Sequence, residues 1–178
     1  MIGRRLGAAL ACALACAGCG HTARRTPSAL ARADVTHEYP SPPPPPQTAR
    51  RATPTATQAI RAFVTAYINW DARTVSADMR TLAADSVGQA RAAMTLAAAE
   101  TADDYELRRG GIANSGAVEA VAPLSGHRDQ YVVVTRESTT ATNTTAYQGL
   151  SPAWHVALAT VQQLPGEGWA LSEWQPEN

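Results

Sequence analysis

The chain has no lysine; all fifteen of its basic residues are arginines. It has one phenylalanine and three cysteines, and Cys12, Cys16 and Cys19 all fall in the first nineteen residues. Beyond residue 19 this excludes disulfides, thiol nucleophiles and thiolate metal sites. The lack of lysine excludes a phosphate-binding loop of the Walker type, and Gly110-Gly111 lacks the strand–loop–helix context such a loop needs. Neither G-x-S-x-G nor H-E-x-x-H occurs, so no motif announces a hydrolase or a zinc protease. The apolar stretch 6–17 falls short of the roughly 20 residues that span a bilayer.

What is present is unevenly distributed. The formal net charge is zero. Seven of the fifteen arginines (Arg4, Arg5, Arg24, Arg25, Arg32, Arg50, Arg51) lie in residues 1–53, against only Asp34 and Glu38 of the fifteen carboxylates. Eight arginines and thirteen carboxylates therefore remain beyond residue 53. A mildly acidic domain of this kind is not expected to bind nucleic acid.

Residues 1–19 have the layout of a secretory signal: Arg4 and Arg5, an apolar stretch, and small residues before a cysteine. The segment Cys16-Ala17-Gly18-Cys19 resembles the lipobox of bacterial lipoproteins, with Cys16 where that family usually has leucine. The resemblance implies a diacylglyceryl thioether on Cys19, which cleavage makes the first mature residue, with Cys16 as a competing acceptor. Two acyl chains at about 0.8 kcal/mol per buried methylene suffice for stable anchoring. The expected location is extracytoplasmic, lipid-anchored to the cell membrane. Residues 20–53 show no sustained apolar period. Their Pro42–Pro46 run lacks N–H donors and has fixed φ, so it reads as a polyproline II spacer in a disordered tether.

Residues 54–178 are expected to form one domain, organised around the stretch 57–70, TQAIRAFVTAYINW. Ile60, Phe63, Val64, Tyr67 and Ile68 recur at the spacing of one helical stripe, with Thr57 as the expected N-cap. A second helix is expected from Asp71 or Thr74, with Val75, Met79 and Leu82 inward. A third follows a Ser86 cap, with Val87, Ala90, Met94, Ala97 and Ala98 on one face; Gly88 suggests a break between the two. Asp103-Asp104 marks a turn, after which the period changes to two. Strands are expected over YELRR (105–109), 118–121, 130–140, 153–164 and 169–175, with Pro165-Gly166-Glu167-Gly168 as a hairpin turn.

Helices followed by strands imply an α+β fold: three N-terminal helices on a curved, mostly antiparallel sheet of four or five strands. This order, over residues 57–175, resembles the cone of the nuclear-transport-factor-two-like (cystatin-like) domains. The segment AIRAFVTAYINWD resembles the first helix of such domains in actinobacterial envelope proteins of the type IV secretion or conjugation-assembly kind. That resemblance implies a non-enzymatic module that binds a protein partner in the envelope. Such cones often pair through the sheet, which leaves a homodimer open as an alternative.

Enzymes on this cone, the ketosteroid-isomerase-like and SnoaL-like proteins, use Asp, His or Tyr groups in an apolar pocket. Here Tyr67, Asp71, Asp103, Asp104, Tyr131 and His155 are available, and no motif assigns any of them a role. Tyr67, Trp70 and His155 are the candidate pocket residues, although Tyr67 reads more simply as a core tyrosine with its hydroxyl at the edge and His155 as a structural or exposed histidine. No catalytic residue, cofactor or metal is assigned; His127-Arg128-Asp129 offers two ligand types without a third. An open pocket at Tyr67, Trp70 and His155 would favour a small apolar ligand or an isomerase-type reaction. A filled cone with an exposed apolar strip would favour a protein partner, for which one exposed tryptophan could serve as anchor.

Overall fold

The structure, a computed structural model, describes residues 45–166 and 168–177. The signal segment, Cys19 and the tether up to residue 44 lie outside the described residues. Four helices occur among the described residues: α1 (Ala56–Ile68), α2 (Val75–Ala84), α3 (Gly88–Ala102) and α4 (Tyr105–Gly110). The strands are β1 (Trp70–Asp71), β2 (Ile112–Pro123), β3 (Gln130–Ala141), β4 (Ala153–Leu164) and β5 (Gly168–Glu177). They form one curved antiparallel half-barrel in the order β1-β2-β3-β4-β5. The fold is α+β. Register shifts at Val118/Ala120 and at Thr160/Val161 interrupt the long strands, the kind of bulge that bends a sheet.

Helix α1 supplies the largest part of the core. Ile60, Phe63, Val64 and Ile68 are buried, each worth about 1.5–3 kcal/mol of transfer free energy. Phe63 stacks on Tyr67 (5.9 Å), and Trp174 from β5 meets both rings at 5.8 and 5.6 Å. These three rings fill the concave face beneath α1. Val75, Met79 and Leu82 of α2 and Ala90, Met94 and Ala98 of α3 complete the main cluster. The cap of α1 is Thr55, not Thr57: its Oγ1 accepts from Gln58 N–H at 3.2 Å. Pro54 holds the preceding chain extended, and Ala56 is a good first helical residue, so the helix starts two residues early.

Three further expectations need correction. YELRR is helix α4, with Asp104 accepting from Leu107 N–H at 2.9 Å and Gly111 as a left-handed C-cap. Caps at both ends, with Glu106 in the first turn and Arg108 and Arg109 in the last, outweigh five residues of alternation. Ser86 does not cap α3: its hydroxyl donates to Leu82 O at 2.7 Å, and Val87 occupies the N-cap position. The strand expected at 118–121 is the far half of a twelve-residue strand, because Ala113, Asn114, Ser115 and Gly116 pair fully with β3 despite low strand propensity.

Residues 47–53, read from sequence as the end of the tether, pack against the domain. Gln47 Oε1 accepts from Gly88 N–H (2.6 Å), Arg50 N–H donates to Ala84 O (2.9 Å), and Thr53 pairs with Trp169. Arg91 fastens this strap, donating to Thr48 O and to Ser86 O, while Ala49 is buried with Val87, Leu164 and Ala170.

Candidate functional site

Period-two alternation gives the sheet two faces of different character. On the concave side β3 presents Tyr131, Val133, Thr135, Glu137 and Thr139, and β4 presents His155, Ala157, Ala159 and Val161. Helices cover most of this side. At the end where α1 gives way to β1, they leave a cleft of about 350 Å³ lined by Tyr67, Trp70, Asn114, Glu137, Thr139, Leu150, Ser151, Ala153 and His155. Tyr67, Trp70 and His155 thus line one cleft. Tyr67 is half-buried over the aromatic cluster, Trp70 comes from β1, and the exposed His155 lies opposite Thr135.

Sequence reading missed the group that gives the cleft its chemistry. The Glu137 carboxylate accepts from Asn114 Nδ2 at 2.7 Å and from the Thr135 hydroxyl at 2.6 Å. Asn114, buried between strands, also donates to Ile68 O (2.8 Å) and accepts from the Thr139 hydroxyl (3.0 Å). Neither donor to Glu137 is charged, and no basic side chain forms an ion pair with it among the described residues. The signal was present in strand parity: two and four residues beyond the buried Val133, positions 135 and 137 must face the same way.

Burial raises the pKa of the Tyr67 hydroxyl above its ordinary 10.0, and the nearby Glu137 charge adds to the rise. The Trp174 N–H, a larger influence than Glu137, acts in the opposite direction; it makes no hydrogen bond of ordinary geometry and is buried without a partner among the described residues. Tyr67 is therefore a neutral phenol across the neutral pH range.

The other titratable residues singled out in the sequence stand elsewhere. Asp71 Oδ1 accepts from Arg73 N–H (2.7 Å) and Thr74 N–H (3.1 Å), starting α2. Asp103 ends α3, Asp104 caps α4, and Tyr131 packs on the core. His127 sits in the β2–β3 turn; among the described residues no three His, Cys, Asp or Glu side chains gather to hold a metal. No helix among them is long and apolar enough to cross a membrane. A second crevice, about 190 Å³ between α1, α2 and β5, has Arg51 and Asp85 at its polar edge. Those two charges pair with each other at 3.6 Å, which leaves little to orient a ligand.

Among the described residues, no helix packs on the convex face. Cross-strand register places Ala120 and Ala122 of β2 beside Val134 and Val132 of β3, and these beside Val156 and Leu158 of β4. Trp154 continues the strip, 62% exposed, with Val156 42% exposed. The Arg136 guanidinium lies 5.8 Å from the Trp154 ring centroid. Glu173, Gln175 and Glu177 of β5 flank the strip on its other side, with Glu173 held by the Thr160 hydroxyl at 3.0 Å.

No known family model matches the chain, and no curated protein is significantly similar to it.

Proposed function

We propose that this chain is an extracytoplasmic bacterial lipoprotein, anchored through lipid on Cys19. Its domain is a nuclear-transport-factor-two-like cone with three principal N-terminal helices. It serves as a non-enzymatic module that docks an envelope protein, of the transfer or secretion-assembly kind, on the convex face of its sheet. The observation that carries the reading is the convex strip in which Trp154 and Val156 are exposed beside half-buried Val134 and Leu158, with no helix of the described residues over it, whereas helices cover most of the concave face. Exposed apolar strips with a polar rim mark interaction surfaces, and a tryptophan is the residue most enriched at their energetic centres. The rim selects the partner's chemistry. Glu173 and Glu177 along β5 suit an apolar patch flanked by basic side chains, and would repel an acidic one.

The test is a photo-crosslinking residue at position 156 in the full chain in its native membrane, with the same residue at Arg80 on α2 as control. The reading predicts a single heteromeric adduct from position 156, absent from position 80, and weakened by Trp154→Ala and by Glu177→Lys. No adduct, or one insensitive to both substitutions, contradicts it. An adduct of twice the chain mass would replace the envelope partner with a homodimer.

A second reading, a ligand-binding or isomerase-type protein, is favoured by the convergence of Tyr67, Trp70 and His155 on one cleft. A carboxylate and a neutral phenol are the groups that proton transfer beside a carbonyl requires. It predicts turnover of an enolisable ketone that is abolished by Glu137→Gln with the fold intact.

A further inference from the structure

The cleft differs from the apolar pocket expected of its position, and the difference lies at Glu137. An ionised carboxylate offers about four lone-pair positions, and Asn114 and Thr135 occupy two. Both donors are neutral, so they fix the carboxylate in place without cancelling its charge. The adjacent arginine does not reach it: Arg136 belongs to the opposite face of β3, over Trp154. Around the carboxylate the cleft is lined by the aromatic groups of Tyr67, Trp70 and His155. Neutral aromatic rings attract cations through their electron-rich faces, and tryptophan does so best. At about 350 Å³ the cleft is within the range of small-molecule sites and too small for a folded partner.

The geometry points to a site for a small organic ammonium ion, held by the Glu137 carboxylate, which forms no ion pair among the described residues, and by the aromatic residues Tyr67 and Trp70. The carboxylate supplies a fixed negative charge, oriented by the Asn114 amide and the Thr135 hydroxyl, and the rings supply a surface for methyl or methylene groups bound to nitrogen. An apolar ligand would strip water from Glu137 without offering it a partner, which costs free energy. A cation returns that interaction. Carboxylate ligands are repelled by the same charge. This site is separate from the convex strip, so its failure would leave the docking reading standing, and the reverse.

The experiment uses choline and its neutral carbon isostere, 3,3-dimethylbutan-1-ol, titrated into the purified full chain in detergent while the indole N–H resonances are followed by NMR. Choline is expected to shift the Trp70 indole resonance saturably and to leave that of Trp154, on the opposite face, unmoved. The isostere should bind at least tenfold more weakly. Glu137→Gln should weaken choline at least tenfold. Trp70→Leu provides a second, independent test, with loss of choline binding read at the His155 ring protons. Equal affinity for choline and the isostere, no saturable shift with choline, or unchanged choline affinity in a folded Glu137→Gln or Trp70→Leu variant overturns the assignment.

Discussion

The side chain of Asn114 donates to Glu137 at 2.7 Å and to the last carbonyl of helix α1, Ile68 O, at 2.8 Å. One amide thus ties the end of the first helix to the middle of the sheet while aiming the carboxylate of the cleft. Replacing it with alanine leaves a buried carbonyl and a carboxylate oxygen without their donor, at a cost of about 1–3 kcal/mol. Urea denaturation of Asn114→Ala should show a lower midpoint with an unchanged slope. An unchanged midpoint would mean that water replaces the amide and that the link is incidental.

Tyr67 sets a pH dependence. Its folded-state pKa is raised by burial, so above the unfolded value near 10 the unfolded chain loses this proton more readily than the folded one. Unfolding then becomes easier as pH rises, and the Tyr67 contribution is fully present below about pH 10 and lost progressively above it. Comparing urea midpoints at pH 7 and pH 10.5, the wild-type chain should fall further than Tyr67→Phe. Equal falls would show that the phenol is not shielded.

Gly88 opens α3 at φ +56°, and a Cβ there would stand 2.9 Å from Ser172 O on β5. Both the dihedral and the close approach exclude a side chain. Gly88→Ala should destabilise the domain by about 1–3 kcal/mol, read from the thermal or urea midpoint, although alanine is the better helix former. A stabilised variant would contradict the packing of α3 on β5.

Lipidation makes a prediction outside the described residues. Mass spectrometry of the mature protein from its membrane fraction should find an N-terminal peptide beginning at an acylated Cys19, and Cys19→Ala should lose the acyl chains. An unacylated chain with another N-terminus would remove the anchor and favour a freely secreted binding domain; acylation at Cys16 would relocate the anchor without removing it.

Much of the fold was legible because hydrophobic period and turn chemistry agreed. The α1 stripe at Ile60, Phe63, Val64 and Ile68 is buried as spaced, and β4 runs over Ala153–Leu164 between the loop and hairpin that its sequence marks. Where local signals competed, they misled. Tyr105 and Leu107 alternate like a strand, but in six residues the Asp104 cap and the Gly111 terminus decide the outcome. The β2 half containing Asn114, Ser115 and Gly116 has no propensity of its own and becomes strand by pairing with β3. The strap at 47–53 was illegible because its contacts, such as Gln47 with Gly88, are long-range and polar. At the site, aromatic and histidine residues drew notice by rarity, whereas Glu137 lay in a threonine-rich segment and is defined only by strand parity and by Asn114 across the sheet.

The central claim is that the convex face of the sheet is covered by another protein in the cell. Hydroxyl-radical footprinting tests it directly, comparing oxidation of Trp154 in intact native membranes with that in the purified chain, and using Leu150, 61% exposed at the cleft edge, as internal reference. The account predicts strong protection of Trp154 in membranes relative to Leu150, and full reactivity after purification. Equal reactivity of Trp154 in both preparations would contradict it.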